Sequence, residues 1–365
     1  MGKRLKQKMY RSVKTTTLYI VITGVAMMLI FPMFFLFIFS LMSDYESYSE
    51  WPKPLLPSIN TDFRMERLND VSDEATYGLL IFNHSEDKYM PFGPESSSRE
   101  KKSLRKLSNF IRNYSNCELG QEEILDLMNQ VDQNTRVDFT LKKGLLNNYE
   151  RFFKLYSGAF NSIIASLTTA LFTILISLSI GGMAGYAFAR YVFKGKNILK
   201  LSVLFVRMFP PVAIALPMVI TLGKMGLYDK PAGLSLIYSI NQISLSIWIT
   251  ASIFMGIPES LEEAAQIFGT TRVGAFFKIT LPLAVPGLAA CAMYSFIYSW
   301  NEVINALILT QFNPTLPVIV YRSLLGANAQ VQLIAAGSVA QALPAIIFTL
   351  FIRKYILQMW GGVKV

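Results

Sequence analysis

Groups able to do chemistry are scarce in this chain. It has one histidine, His84, and two cysteines, Cys117 and Cys291. A membrane hydrolase needs a nucleophile with a base beside it, or a metal cluster. His84 lies in a polar stretch, and the long apolar runs hold no paired aspartates, so an intramembrane enzyme is excluded. No zinc-type cysteine spacing occurs. With Cys117 in the polar stretch and Cys291 in an apolar run, no disulfide is expected. The chain also lacks a GxxxxGK[ST] loop, so it cannot cradle nucleotide phosphates in the manner of an ATPase. Neither a catalytic nor a metal-binding residue is expected.

Carboxylates are the second shortage. Charged residues make up only 16% of the chain, against about a quarter in a soluble domain. Nineteen of the 24 acidic residues fall between Asp44 and Glu150; the other five are Asp229, Glu259, Glu262, Glu263 and Glu302. Almost all the remainder is apolar or basic. The net charge of +10 does not point to nucleic acid, because the bases flank apolar runs, as they do on the cytoplasmic side of membrane proteins.

An apolar helix of about 20 residues crosses the hydrocarbon core. Six runs qualify: Leu18–Leu41, Ala159–Ala189, Leu199–Leu222, Ala232–Met255, Pro282–Leu309 and Ile334–Ile352. The first follows a basic start, Lys3-Arg4-Leu5-Lys6, but is longer than the apolar core of a signal peptide, so it is read as a retained helix. The second is long enough to require tilt or an interfacial part. Lys and Arg cluster before the first run, between Arg190 and Lys200, and after the sixth; the opposite short loops carry Lys224, Lys230 and Arg322. That bias places both termini, and the segment from Glu259 to Lys278, in the cytoplasm.

The fold class expected is an all-α membrane protein of about six transmembrane helices. The expected division is a cytoplasmic tail over 1–17, a first helix over 18–43, an extracytoplasmic insert over 44–154, a five-helix core over 155–352 and a cytoplasmic tail over 353–365. The insert is too long for a simple connection. Leu104, Leu107, Phe110, Ile111 and Tyr114 recur at helical spacing, as do Ile124, Leu125, Leu127, Met128 and Val131, so it reads as partly helical. Trp51-Pro52-Lys53-Pro54 and Pro91-Phe92-Gly93-Pro94 read as loops.

Within the spans, Gly181 and Gly185 form a small-xxx-small pair suited to close helix contact. Pro210, Pro211 and Pro217 must kink the third run; such a bend either lines a cavity or only fixes packing. Arg207 and Glu302 fall inside expected spans, where charges face a protein interior or a wet path. With Pro210, Pro211, Asn301 and Asn305 they are candidate pathway residues, the alternative being local pairs that fix helix packing. Tyr298 and Trp300 read as interface anchors or as sugar contacts.

The most informative stretch runs from Ile257 to Gly269. Pro258 suits a first helical position, Glu259, Glu262 and Glu263 favour the positive end of the helix dipole, and Gly269 suits a left-handed C-terminal stop. The resulting helix places Ile257, Leu261, Ala264, Ala265 and Phe268 on one face, with Glu259, Ser260, Glu262, Glu263 and Gln266 on the other. An amphipathic helix of this kind enters a groove on another protein or lies on a lipid surface; the acidic polar face disfavours the second.

Glu263-Ala264-Ala265, followed by Gly269, Ile279 and Leu281-Pro282, resembles the EAA loop of ABC-importer permeases, with its spacing met in full. Asn147-Asn148-Tyr149 with Asn161-Ser162, Met208-Phe209-Pro210-Pro211, Ser299-Trp300-Asn301-Glu302 and Thr315-Leu316-Pro317-Val318 resemble the carbohydrate branch of that family, of the maltose/maltodextrin type. The resemblance covers about Leu145 to Val365. Phe268 departs from it, since an acidic residue often precedes the loop glycine, and the insert is longer than the family's outer segment.

The resemblance implies a transport subunit in the bacterial cytoplasmic membrane, importing a sugar or oligosaccharide; a polyol phosphate or amino acid is the alternative solute, and a structural or assembly role the alternative function. It implies a second permease subunit in a heterodimer, two cytoplasmic ATPase subunits that use ATP and Mg, and an extracytoplasmic solute-binding protein. No cofactor is implied for this chain. Ile257, Leu261, Glu262, Glu263, Ala264, Ala265, Phe268, Gly269, Ile279, Leu281 and Pro282 become the expected ATPase-coupling residues.

Overall fold

The computed structural model describes residues 2–48, 56–68, 75–98, 100–326 and 329–360, without the side chains of 2–14, 211 and 356–360. The expected loop at Trp51–Pro54 lies outside the described residues. The chain forms two compact units, 1–155 with 327–339, and 156–326 with 340–365.

The first unit opens with helix α1 (Gly2–Leu41), of which Thr15–Leu41 is long and apolar enough to cross a membrane. Its apolar side chains from Leu18 to Leu36 are largely exposed, which suits lipid or another chain and not water. Two buried asparagines secure its end. Asn148 Nδ2 donates to the carbonyls of Ser40 (2.9 Å) and Met42 (2.7 Å), and Asn116 Nδ2 donates to Met42 O (3.2 Å). These are carbonyls that the end of a helix leaves without partners. Asn148 belongs to α5 (Asn147–Leu155).

After a short helix α2 (Asp44–Tyr48), the insert forms strands β1 (Asn60–Leu68), β2 (Thr76–Asn83), β3 (Lys88–Pro91), β4 (Ser96–Ser97) and β5 (Arg136–Lys142), with helices α3 (Lys101–Ser115) and α4 (Gln121–Asn134). The strands are antiparallel in the order β3-β2-β1-β5, and β4 pairs with β2. Phe63 faces Ile81 on one side and Phe139 on the other. Phe63, Met65, Tyr77, Leu79 and Ile81 bury one face of the sheet together with Leu104, Leu107 and Ile111 of α3 and Ile124, Met128 and Val131 of α4. The insert is thus a two-layer α+β domain. The two helical patterns of the partly helical insert form α3 and α4, and the sheet makes up the remainder, which helical spacing alone does not reveal. Lys143 and Glu46 form a buried ion pair beside it, at 2.6 Å. Burial pushes the Glu46 carboxyl up, but the Lys143 charge and hydrogen bonds outweigh this and hold it below the ordinary carboxylate value.

The second unit is all helical. It contains α6 (Ala159–Arg190), α7 (Lys196–Val206), α8 (Pro211–Lys224), α9 (Pro231–Met255), α10 (Ser260–Ile267), α11 (Arg272–Ala275), a π-helical turn at Phe276–Thr280, α12 (Leu281–Asn301), α13 (Ile304–Leu309) and α14 (Leu316–Leu325). The last helix, α15 (Val331–Trp360), carries residues of both units.

The tightest contact is between α6 and α9. A Cβ added at Gly185 would lie 1.9 Å from Thr250 Oγ1, and one at Gly181 would lie 2.4 Å from the Ser246 Cβ. Only glycine lets the two backbones approach this closely. Thr250 Oγ1 also donates to Gly181 O at 3.0 Å. α12 joins them through Ser295 and Ser177, whose hydroxyls are 3.1 Å apart.

Two expected spans are not continuous. The third is broken between α7 and α8. Pro210 and Pro211 have no N–H to continue the ladder, so Arg207 and Met208 donate back to Leu204 and Phe205 and α8 starts afresh. Among the described residues five helices are long and apolar enough to cross a membrane, and α8 and α14 are shorter apolar helices. The fifth span ends at Asn301 instead of Leu309. Glu302 and Val303 interrupt it, and α13 follows. Thr315 stands at the N-cap of α14, which Leu316, Pro317 and Val318 open.

Candidate coupling site

α10 follows α9 after a turn at Gly256–Glu259. It begins two residues later than Pro258 suggests, at Ser260. Leu261, Glu263, Ala264, Gln266, Ile267 and Phe268 are exposed; Ile267 is 84% and Phe268 88% accessible. Ile257 is buried and Ala265 half-buried. The outward apolar face is therefore Leu261, Ala264, Ile267 and Phe268. Ile267 was missed from sequence, and Ile257 packs inside, with Phe254 and Ala284.

Glu262 reverses its expected position. Periodicity groups it with Glu259, Ser260, Glu263 and Gln266 on the polar face, but its side chain points into the chain. Arg190, the last residue of α6, reaches it with Nε (2.8 Å) and Nη2 (2.7 Å) to Oε1. Tyr186 OH donates to Oε2 at 2.6 Å, and Thr280 Oγ1 donates to Oε1 at 2.7 Å. Both charged side chains are 4% exposed. The same guanidinium donates to the carbonyls of Phe254 (2.9 Å) and Ile257 (3.1 Å), so Arg190 holds the end of α9, the turn and α10 at once. Burial pushes the Glu262 carboxyl up, yet the hydrogen bonds from Tyr186, Arg190 and Thr280 hold it below the ordinary carboxylate range. Tyr186, Phe254 and Phe276 pack edge to face or tilted beneath the pair, with centroids 4.6 to 6.0 Å apart.

Gly269 ends the helix at φ +89°, and a Cβ there would meet nothing within 4 Å. The requirement for glycine is therefore one of backbone conformation. Thr270 donates to Ala265 O through both N (3.1 Å) and Oγ1 (2.6 Å), fastening the stop. Ile279 is half-buried in the π-helical turn, and Leu281 and Pro282 open α12.

The pathway candidates separate into two groups. Glu302 sits in the break before α13, and its carboxylate accepts from the N–H of Asn305 (3.0 Å) and Ala306 (3.3 Å), from Asn305 Nδ2 (3.1 Å) and from Tyr238 OH (2.8 Å). It caps a helix start. Asn305 is buried, and its Oδ1 lacks a partner among the described residues. Asn301 is exposed and bonds back to its own helix at Ile297 O. Arg207 is exposed in the α7–α8 break and makes no ion pair with Glu302; Pro210 is beside it, and Pro211 begins α8. Trp300 corrects the anchor reading. It is fully buried and donates to Gln341 O at 2.8 Å. Tyr298 OH accepts from Asn241.

The sequence profile of the family described as "Binding-protein-dependent transport system inner membrane component" matches residues 177–358, which contain α10, Gly269 and the start of α12. The chain is 34% identical over 217 residues to the trehalose transport system permease protein SugB of Mycobacterium tuberculosis, covering 58% of this chain and 78% of that protein. The chain belongs to this family. The permease is also 31% identical over 232 residues to the arabinooligosaccharides transport system permease protein AraQ of Bacillus subtilis, covering 62% and 82%, and 34% identical over 225 residues to the trehalose/maltose transport system permease protein MalG of Thermococcus litoralis, covering 59% and 79%. Its fold is similar to that of a bacterial ABC transporter involved in alginate import, with a TM-score of 0.59, 17% identity, and coverage of 94% of this chain and 97% of that one. The permease is a multi-pass inner-membrane subunit of an ABC importer and is not itself an enzyme.

Proposed function

We propose that this permease imports a sugar or oligosaccharide, and that α10 passes the closure of a separate ATPase to the membrane helices. The single observation that carries the coupling role is the outward apolar face of α10, with Leu261, Ala264, Ile267 and Phe268 uncovered while Glu262 ties its other side to α6. An exposed apolar patch on a short helix calls for a partner groove. The ATPase subunits would hold ATP and Mg; this permease supplies a rigid contact. Because Arg190 holds α9, the turn and α10 together, a push on α10 moves α9 and α6, which the glycine crossing joins into one body. Such a body, biased by nucleotide, switches access between the two sides. The sugar assignment rests on the relatives, three of which carry names for trehalose, maltose or arabinooligosaccharide transport.

The partners proposed are a second permease subunit in a heterodimer, two ATPase subunits and an extracytoplasmic solute-binding protein. Arg190, at the end of α6, touches the turn before α10, so the basic 190–200 loop and α10 share one end of the helical unit. By the positive-inside rule that end is cytoplasmic, both termini with it, and the insert is outside. Glu302 and Asn305 are proposed to border the pathway near its outer end.

Two measurements test the proposal. Phe268→Asp and Glu263→Lys should each reduce co-purification of the ATPase; unchanged co-purification and transport would reject the coupling role. Titrating the purified solute-binding protein with sugars, polyol phosphates and amino acids decides the solute, and binding only outside the sugars would overturn that assignment.

A further inference from the structure

The insert contains a helix whose charges break the ordinary rules. α3 carries Lys101, Lys102, Arg105, Lys106 and Arg112 and no acidic residue. Three of these cations lie in or beside its first turn, where the helix dipole is positive and repels them. Lys101 with Arg105, and Lys102 with Lys106, are like-charged pairs four residues apart, which repel on a helix surface. No side chain caps the helix start at Glu100. The neighbouring α4 differs from α3 in the charge of its start. Glu122 and Glu123 occupy its first turn, and the Glu123 carboxylate accepts from Gly120 N at 2.7 Å. A sequence that breaks several local rules without a compensating contact marks a functional site.

No compensating contact is present among the described residues. Lys101, Lys102, Arg105 and Lys106 are exposed and make no ion pair there. Only Arg112 has anions in reach, Glu118 at 3.5 Å and Glu150 at 3.7 Å. At 3.6 residues per turn, the five cations fall within an arc of about 140°. Leu104, Leu107 and Ile111 lie on the opposite side, buried against the sheet. The four unpaired cations span a rise of about 8 Å.

We propose that this face of α3 docks an acidic patch on the solute-binding protein. The inference rests on the reading that the permease is binding-protein-dependent and that the insert lies outside. The composition of the arc selects a protein over other anions. It has no exposed aromatic on which a sugar ring would stack, and no apolar side chain to enter a lipid surface beside the charges. Dense, solvated, mostly lysine charge is suited to steering a large anionic partner over distance.

The test uses the full transporter, assembled with its ATPase in nanodiscs of zwitterionic lipid, and its purified solute-binding protein loaded with solute. ATPase stimulation is titrated at several salt concentrations. In the unaltered transporter the half-saturating concentration should rise steeply with salt. The combined variant Lys101→Gln, Lys102→Gln, Arg105→Gln, Lys106→Gln should raise it about tenfold at low salt and flatten the salt dependence, since steering of this kind changes on-rates by one to three orders of magnitude. Glutamine is as good a helix former as the residues replaced, so basal and maximal ATPase rates should not change. Unchanged half-saturation and an unchanged salt slope would overturn the proposal. A difference that emerges only when anionic lipid is added would overturn it in favour of a membrane contact. Failure of the binding protein to stimulate even the unaltered transporter would instead remove the reading on which the inference rests.

Discussion

At the scale of single residues, the site depends on Glu262 and on the φ of Gly269. Replacing Glu262 with alanine leaves Arg190 buried beside two carbonyls without a counter-charge, and breaking such a pair costs about 3–5 kcal/mol. Glu262→Ala should therefore lower the thermal midpoint of the purified permease and weaken coupling, read as ATP hydrolysed per solute transported. A midpoint within experimental error of the unaltered permease would contradict the pair's role. The folded pKa of Glu262 lies below its ordinary 4.5. A depressed carboxylate contributes stability above the unfolded value and loses it as pH falls through the folded value. The contribution should be constant from neutral pH down to about 5 and decline only below 4.5; a decline centred at pH 6–7 would indicate a different group. Gly269→Val forces a branched residue to φ +89°, at a cost of about 1–2 kcal/mol, and should loosen α10 without crowding any neighbour. Protease nicking around residues 266–272 would report it.

At the scale of elements, the α6–α9 crossing and the Glu302 break make separate predictions. Gly185→Leu places atoms where Thr250 already lies, and overpacking of this kind costs about 1–3 kcal/mol or more. The yield of folded permease should fall sharply; normal yield would mean that the helices part more readily than their packing shows. Glu302→Ala removes the cap of α13, worth about 0.5–2 kcal/mol. A fall in thermal stability with normal transport would make it structural, whereas lost transport at unchanged stability would place it on the pathway. These elements also show what a sequence makes legible. The Gly181/Gly185 pair and the α10 helix were readable because close approach and a left-handed stop each require glycine. Strand β5 could have been read from the strict alternation of Val137, Phe139 and Leu141. The inward turn of Glu262 could not, since its partner Arg190 lies 72 residues away and local periodicity groups Glu262 with the outward acids. The break at Glu302 was hidden for a related reason. It contains no proline, and only the backbone N–H groups of the next turn reveal the carboxylate as a cap.

At the scale of the whole molecule, topology and modularity are both testable. With both native cysteines buried, single cysteines report cleanly in intact cells. Glu95→Cys should react with a membrane-impermeant reagent and Lys196→Cys should not; the opposite pattern would invert the orientation. Excising residues 60–142 with a short linker should leave ATPase assembly intact while raising the concentration of binding protein needed. Among the described residues the excision removes the hydrogen bond from Asn116 to Met42 O, while Asn148 still serves both Ser40 and Met42. Loss of assembly would make the insert part of the fold. The register of the domain's first and last strands, β1 and β5, makes this excision feasible. Asn60 stands opposite Lys142, and Lys143 N donates to Ile59 O at 2.8 Å, so the chain enters and leaves the α+β domain at adjacent points. A segment with neighbouring ends can be gained, lost or exchanged between lineages without displacing the helices on either side of it. On the proposed topology and partners, selection on the α+β domain and selection on the helical unit can then proceed independently, one following a changing partner while the other is held fixed by the ATPase.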